Sequence, residues 1–259
     1  MLTYPEIQPY IFQIGPLQIR WYGLMYIFGL ASSFYLVKAQ IKKQGVLIDK
    51  DDLENIYFYT FLGLILGARI GYILFYNLSY YLSSPLELFA VWHGGMSFHG
   101  GLIGGLIFGI YYCRRMDYLT IFDIIIPTVP ITLAFGRIGN FINAELYGRV
   151  TDMPWAMIFP DAGQFPRHPS QIYEFFLEGV LLFIILWTVK VQTKGAKLPM
   201  FLVFYGIFRI FAEFFREPDA QVGFIFAAFT MGQILSLFMI IAGVIIYKML
   251  PKSAQNIQR

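Results

Sequence analysis

The chain of 259 residues carries a formal net charge of +3 at pH 7, and 58% of its residues are hydrophobic whereas only 14% are charged. Soluble domains usually contain about 25% charged residues, so this composition argues against a soluble globular enzyme, a disordered chain, a coiled coil and a nucleic-acid binder. The single cysteine, Cys113, excludes an internal disulfide and a cysteine-rich metal site. We therefore expect an integral membrane protein.

Seven apolar segments are candidates for transmembrane helices, which need about 20 mostly apolar residues each. In chain order they are 21–37, 55–76, 94–113, 119–135, 172–189, 198–215 and 226–249. Glycine and proline interrupt the third and fourth segments, which membrane helices tolerate because neighbouring helices satisfy the freed backbone groups. The expected fold class is all-α: a polytopic membrane protein with about seven transmembrane helices.

Lysine and arginine are distributed unevenly between the two sets of loops. Twelve lie in one set, four lie in the other (Arg20, Arg149, Arg167 and Arg216), and three lie within or at the end of a span. Because positively charged loops face the cytoplasm, we expect the N-terminus outside and the C-terminus in the cytoplasm. The longest segment between spans, 136–171, is then a small extracytoplasmic cap inserted into one membrane domain, 1–259.

Ionisable side chains within spans are costly and are functional candidates by default. With the expected orientation, all but Asp123 lie towards the outer end of their spans. The candidates at this level are Tyr22, Arg69, His99, Arg137, Glu174, Glu178, Arg209 and Glu213. Their shared depth predicts a polar cavity that opens towards the outer leaflet.

Structural explanations exist for several of these residues taken singly. Arg209 and Glu213 have the i,i+4 spacing of an ion pair within one helix, and Arg69 is able to snorkel to the headgroups. Glu174 and Glu178, one turn apart, are able to face water at the rim. Three arginines at one depth are harder to explain in this way, and the guanidinium group suits phosphate, which lies at this depth in phospholipids.

Glycine repeats in two spans indicate close helix packing. A metal site or a cofactor site fits the sequence poorly. Gly63, Gly67 and Gly71 recur every four residues, as do Gly101, Gly105 and Gly109, which is typical of closely packed membrane helices. The three histidines lack zinc-site spacing, and we expect no metal and no cofactor. Ser97 and His99 leave an intramembrane serine protease open as an alternative.

Several motifs together resemble one family, the prolipoprotein diacylglyceryl transferases. The most specific is GRIGNFINAELYGR at 136–149, which is similar to the signature of that family, followed by HGGMSFHGGLIG at 93–104. Further similar segments are WYGLM at 21–25, GARIGY at 67–72, RHPSQIYE at 167–174 and FRIFAEFFR at 208–216. The resemblance extends from Trp21 to Lys248, which is nearly the whole chain.

The resemblance implies a multi-pass enzyme of the bacterial inner membrane, with a periplasmic N-terminus and cap and a cytoplasmic C-terminus. Such an enzyme transfers the diacylglyceryl group of phosphatidylglycerol to the thiol of a lipobox cysteine in the signal peptide of a prolipoprotein. The products are a thioether-linked prolipoprotein and glycerol 1-phosphate. The nucleophile belongs to the substrate, and membrane lipids and prolipoproteins are the expected partners, with no role for nucleic acid.

Roles for individual residues follow from this reaction as hypotheses. We expect Arg137 to bind the lipid phosphate and Arg209 to act as a second clamp, because cations stabilise charge that grows on the leaving group. His99 is the expected base by its pKa, whereas Glu145 or Glu213 either takes the proton or orients an arginine. The resemblance also places Tyr22, Asn140, Gly148 and Tyr205 in or near the site, and Arg69 is a further candidate for substrate binding. The competing function is an anionic-lipid transporter or flippase.

Overall fold

The structure is a computed structural model that describes residues 2–5, 7–14, 17–89, 95–218, 224–225 and 229–251. It is mostly helical. The chain forms two compact units, one of residues 41–121 and one that combines 1–40 with 122–259. That the whole chain acts as one membrane domain stays a prediction.

Ten α-helices follow one another along the described chain. They are α1 (Trp21–Gln44), α2 (Lys50–Tyr76), α3 (Leu78–Ser83), α4 (Phe98–Cys113), α5 (Tyr118–Ile125), α6 (Val129–Ile142), α7 (Ser170–Glu174), α8 (Leu182–Thr188), α9 (Lys197–Glu213) and α10 (Met231–Met249). Two short 3₁₀ helices, Pro85–Phe89 and Ile126–Thr128, follow α3 and α5, and a π-helix, Phe175–Leu181, joins α7 to α8.

Five helical segments of the described chain are long and apolar enough to cross a membrane. They are Trp21–Gln44, Lys50–Phe75, Tyr118–Ile142, Ser170–Thr188 and Met231–Met249, and they correspond to the first, second, fourth, fifth and seventh predicted spans. The third and sixth predicted spans correspond to α4 and α9, which have 16 and 17 residues. These helices lie at or just below the lower limit of roughly 17–25 residues for a transmembrane helix.

Glycines bring α2 and α4 into close contact in the 41–121 unit, as the repeats predict. A Cβ atom built on Gly67 would lie 2.3 Å from the carbonyl oxygen of Gly100, and one on Gly104 would lie 2.2 Å from that of Gly63. The closest approach in α4 is therefore made by Gly100 and Gly104, one residue before the predicted repeat. At Gly105, a Cβ would meet only ordinary contacts, the nearest at 3.5 Å.

The larger unit contains a hydrophobic core built from three of its helical segments. Its buried members are Ile126, Leu182, Leu186, Phe201, Leu202 and Tyr205. The π-helix between α7 and α8 packs tightly on α6, because a Cβ on Gly179 would lie 2.6 Å from Cβ of Ala134. A π-helix is rare and is often found at functional sites, and this one carries Glu178.

The predicted helical fold is confirmed as mostly helical, and three small β-sheets accompany the helices in the described part of the chain. The strands Tyr10–Ile14 (β2) and Leu17–Arg20 (β3) form an antiparallel pair, as do Phe224–Ile225 (β5) and Phe229–Thr230 (β6). The N-terminal strand Leu2–Thr3 (β1) pairs in parallel with Met157–Ile158 (β4). Five of these six strands lie outside the predicted spans and have only two to five residues each, which is too short for a strong hydropathy signal. The Gly15-Pro16 dipeptide in the sequence between β2 and β3 is a recognisable turn signal.

The segment between α6 and α7, residues 143–169, has its own small core. Tyr4, Ala144, Met157, Phe159 and Ala162 are buried together, with Phe141 and Tyr147 packed against them. The hydroxyl of Tyr4 donates to the carbonyl oxygens of Phe141 and Ile142 at 2.7 and 2.9 Å, at the end of α6. The predicted cap, 136–171, thus also includes the last two turns of α6, which end only at Ile142.

Candidate functional site

A fully buried carboxylate, Glu174, lies at the centre of a cluster of arginines in the larger unit. Its Oε2 is 2.9 Å from Nη1 of Arg137, and its Oε1 is 2.6 Å from Nη1 of Arg209 and 3.3 Å from Nη1 of Arg216. The Glu174 side chain has no solvent-exposed area. Three guanidinium groups from different parts of the chain therefore share one carboxylate at the end of α7.

Glu178 binds two of the same arginines from the π-helix. Its Oε2 accepts a hydrogen bond from Nη2 of Arg137 at 2.9 Å, and its Oε1 lies 3.4 Å from Nη1 of Arg209. Arg137 thus contacts both glutamates through its two terminal nitrogens. The structure thus brings Arg137, Glu174, Glu178 and Arg209 together. The alternative that Glu174 and Glu178 face water at the rim is wrong, because both are buried.

Glu213 connects Arg209 to the start of α10. Arg209 donates from Nη2 to Oε1 of Glu213 within α9, as the i,i+4 spacing predicts, and the hydroxyl of Thr230 donates to Oε2 at 2.8 Å. Thr230 is also the N-cap of α10 and forms a capping box with Gln233. Gly232 leaves room for the carboxylate, because a Cβ there would lie 2.3 Å from Oε1 of Glu213. Glu213 therefore holds Arg209 through Nη2, whereas Glu174 holds it through Nη1.

The cluster balances charge inside and leaves some positive charge accessible. Its arginines are 137, 209 and 216, and its glutamates are 174, 178 and 213, so the formal charges cancel among these six described residues. The carboxylates are 0–5% exposed, whereas the side chains of Arg137 and Arg209 keep 15% and 13% of their area exposed. A guanidinium has five N–H donors, and the glutamates hold those of Arg137 and Arg209 in fixed orientations.

Tyr205 lies beside this cluster on α9, one turn before Arg209. It is 4% exposed and belongs to the hydrophobic core, where its ring stacks on Phe201 at 5.5 Å between centroids. It also interacts electrostatically with Arg137, Arg209 and Glu178. The structure thus brings Tyr205, a residue named from the resemblance, to the arginine cluster.

Glu145 lies in a tight loop directly after α6. Its Oε1 accepts hydrogen bonds from Nδ2 of Asn140 at 2.8 Å and Nδ2 of Asn143 at 3.3 Å, and its backbone N–H donates to the carbonyl of Asn140 at 3.1 Å. The Glu145 side chain is exposed whereas Asn140 is buried. The loop therefore presents a fixed carboxylate at an accessible surface.

Tyr22 connects the Glu145 loop with the arginine cluster. It packs against α6, where a Cβ on Gly139 would lie 2.9 Å from the ring of Tyr22, and its hydroxyl is 3.3 Å from that of Tyr26. Both Glu145 and Arg137 lie close enough to interact with it electrostatically. Five predicted site residues from three segments, Tyr22, Arg137, Asn140, Glu145 and Arg209, thus occupy one neighbourhood.

Gly148 allows two backbone segments to approach each other closely. Its N–H donates to the carbonyl of His168 at 2.8 Å, and it pairs with Arg216 in an isolated antiparallel bridge. A Cβ at this position would lie 2.5 Å from the carbonyl oxygen of Phe215. Its φ is not among the positive values, so the lack of a side chain, and not backbone freedom, explains the glycine.

Two predicted site residues, Arg69 and His99, lie in the other unit. The buried Arg69 donates from Nε to the carbonyl of Leu88 at 3.0 Å and from Nη1 to that of Gly95 at 3.2 Å, and it lies over the ring of Tyr81. These contacts hold the backbone around the Pro85–Phe89 helix. His99 is in the first turn of α4, and its side chain lies outside the described part of the structure.

Three contributors to the cluster escaped the sequence analysis. The sequence places Arg216 in an outer loop, yet it is 7% exposed and bonds Glu174. Thr230 and the π-helix were not predicted at all. Arg216 ends the motif at 208–216, so the motif is the one signal that pointed to it. Among the described residues, no group of three or more His, Cys, Asp or Glu side chains is able to hold a metal ion.

Comparisons with known proteins agree on one family. The family model described as prolipoprotein diacylglyceryl transferase matches residues 9–249. A phosphatidylglycerol–prolipoprotein diacylglyceryl transferase of Geobacter sulfurreducens is 51% identical over 246 residues, which cover 93% of this chain and 95% of that protein. Proteins of the same name from Aliivibrio salmonicida and Coxiella burnetii are 52% and 51% identical, covering 94% of this chain and 88% and 95% of their own lengths.

Proposed function

The chain belongs to the prolipoprotein diacylglyceryl transferase family, and we propose that its arginine cluster binds the phosphate of phosphatidylglycerol during transfer of the diacylglyceryl group to a prolipoprotein. Like the relatives that share half of its sequence, the protein is a transferase. Family membership favours this reaction over the lipid transporter and the serine protease. The acceptor is the thiol of the lipobox cysteine.

The reaction forms one bond and breaks one bond at the same carbon. The cysteine sulfur attacks the glyceryl carbon that carries the phosphate, so a C–S bond forms and the C–O bond to phosphate breaks. The thiol proton goes to a base, and glycerol 1-phosphate leaves as a phosphate monoester with added negative charge. Donors that are already oriented towards this charge lower the barrier most, because they need no reorganisation.

The observation that carries the proposal is the pair of guanidinium groups that share Glu174 and Glu178. Arg137 comes from α6 and Arg209 from α9, and both contact the two buried glutamates at 2.6–3.4 Å. The glutamates fix the orientation of the guanidiniums, and the exposed edge of each remains for the phosphate. A planar guanidinium suits two phosphate oxygens at once. Glu213 positions Arg209 and is held in turn by Thr230.

Glu145, Asn140 and Tyr22 form the second part of the proposed site. Their polar groups lie beside Arg137 and suit the glycerol hydroxyls of the lipid headgroup. We propose His99 as the base, since imidazole titrates near neutral pH, with the accessible carboxylate of Glu145 as the alternative. The pH profile of kcat separates the two. If His99 is the base, His99→Gln loses the acidic limb of the profile and Glu145→Gln keeps it. If Glu145 is the base, the outcomes are reversed. We further propose substrate binding at Gly148 and Tyr205, as the family resemblance implies, and at Arg69.

We also propose the placement of the chain in the bacterial inner membrane. Seven crossings, with the short helices α4 and α9 as the third and sixth, put the N-terminus and the cap in the periplasm and the C-terminus in the cytoplasm. The uneven distribution of lysine and arginine supports this orientation. It places the site of transfer at the outer leaflet, where lipobox cysteines emerge from the membrane.

Incubating purified protein with phosphatidylglycerol vesicles and a lipobox peptide tests the reaction. We expect the peptide mass to rise by one diacylglyceryl group with release of an equal amount of glycerol phosphate, and no change for a peptide whose cysteine is replaced by serine. Movement of lipid between leaflets without a change in peptide mass would instead indicate a flippase. Peptide cleavage that is lost in Ser97→Ala would indicate a protease.

A further inference from the structure

The loop that carries Glu145 has an unfavourable backbone conformation on both sides of that residue. Ala144 and Leu146 have φ angles of 54° and 57°, in the left-handed region that residues with a side chain rarely occupy. Two such residues around one functional side chain persist only where surrounding contacts enforce the conformation. The contacts within the loop itself, from Asn140 and Asn143, are made to the Glu145 side chain and backbone N–H.

Two buried side chains at the start of α7 supply further contacts to the loop. Nε2 of Gln171 donates to the carbonyl oxygen of Glu145 at 2.6 Å, and Oγ of Ser170 donates to the carbonyl oxygen of Leu146 at 2.8 Å. Both side chains belong to residues with no exposed area. Three residues further along the same helical segment lies Glu174, so a single stretch of chain binds both the Glu145 loop and the arginine cluster.

Packing alone does not explain an amide at position 171. Oε1 of Gln171 is buried and has no hydrogen-bond partner among the described residues. A buried acceptor without a partner is unfavourable, and an apolar side chain of similar length would avoid it. The amide is therefore explained by its other end, the N–H group that holds the Glu145 carbonyl.

We propose that Gln171 and Ser170 are positioning residues for transfer: they hold the strained loop so that the Glu145 carboxylate faces the reacting groups. This inference rests on the proposed function for the place of Glu145 in the site. Neither residue touches the substrate. Releasing the loop lets Ala144 and Leu146 relax towards ordinary backbone angles, which turns the Glu145 side chain away from Asn140.

Gln171→Met tests the proposal, because methionine keeps the length of the side chain and removes its donor. We expect kcat to fall about tenfold, equivalent to about 1.4 kcal/mol in the barrier, while KM for phosphatidylglycerol and the unfolding temperature stay close to wild type. Ser170→Ala should show a smaller fall of the same kind. Tyr173→Phe is the matched control: it removes two hydrogen bonds from the same helix, to Trp155 and His168, and should leave kcat unchanged.

A double-mutant comparison separates this inference from the proposed function. If Gln171 acts through Glu145, adding Gln171→Met to Glu145→Gln causes no further loss. Should Glu145→Gln itself turn over at the wild-type rate, the proposed role of Glu145 fails. Should Gln171→Met lower kcat by the same factor in both backgrounds, or not at all, the positioning role is overturned while the role of Glu145 stands.

Amide exchange gives a readout that does not depend on activity and decides the question if Glu145→Gln is inactive. We expect faster exchange across residues 143–147 in Gln171→Met and wild-type exchange there in Tyr173→Phe. Unchanged exchange in Gln171→Met would show that the loop keeps its conformation without the amide, and would overturn the proposal.

Discussion

Replacing Glu174 with glutamine removes one negative charge from the centre of the arginine cluster and keeps the size of the side chain. Glu174 is fully buried and contacts Arg137, Arg209 and Arg216 at 2.6–3.3 Å. After the change, three arginines share two glutamates, and one positive charge is left without a partner. Removing one partner from a buried ion pair typically costs about 3–5 kcal/mol. At 2–4 °C per kcal/mol, the unfolding temperature falls by roughly 6–20 °C.

Thermal unfolding in detergent measures this loss, with Glu54→Gln as the control. Glu54 also pairs with a basic residue, Lys50 at 3.5 Å, but both side chains are more than half exposed, and such pairs contribute little. We expect Glu54→Gln to unfold at the wild-type temperature. If Glu174→Gln does so too, the cluster does not hold α6, α7 and α9 together, and the reasoning about its charge balance is wrong.

Two further predictions concern packing and pH. Gly104→Ala should destabilise the α2–α4 pair by about 1–3 kcal/mol, since its Cβ would lie 2.2 Å from the carbonyl oxygen of Gly63. Gly23→Ala is the control: no atom lies within 4 Å of its Cβ, so it should be neutral or slightly stabilising in the same unfolding assay. Equal effects of the two substitutions would contradict the close packing. Burial lowers the pKa of His168, which lies between α6 and α7. The unfolded state therefore binds this proton more tightly, and the free energy of unfolding falls as pH drops through about 6.5. When the pH falls from about 7.5 to about 5, His168→Gln should therefore lose less stability than the wild-type protein. An equal loss of stability in the two proteins would refute this.

Hydropathy predicts the depth of a residue in the membrane but not the direction in which it points. The spans and the shared level of Arg137, Glu174, Glu178 and Arg209 follow from counting apolar residues along the chain. Which glutamate meets which arginine depends on the rotation of each helix about its axis. A spacing of four residues is equally consistent with a pair of glutamates that faces water and a pair that faces inwards. Only the structure therefore shows that Glu174 and Glu178 are buried.

Local irregularities were the second kind of feature beyond reach of the sequence. The π-helix at Phe175–Leu181 and the left-handed backbone at Ala144 and Leu146 oppose ordinary local preferences and are imposed by tertiary contacts. The glycine repeat in α4 predicted close packing, but α4 contains two overlapping sets of glycines four residues apart: Gly100 with Gly104, and the longer set Gly101, Gly105 and Gly109. Only the facing helix selects the first of them.

In the proposed reaction, Arg137 and Arg209 stabilise the phosphate as it leaves. The most direct measurement is kcat for coupled glycerol phosphate release and peptide lipidation in Arg137→Ala, with Arg137→Lys to keep the charge and Arg20→Ala as an exposed arginine control. We expect a fall of about 10²–10³-fold in Arg137→Ala, a substantial loss in Arg137→Lys, which lacks the fork of donors, and wild-type turnover in Arg20→Ala. Near-normal turnover of a folded Arg137→Ala protein would contradict the account.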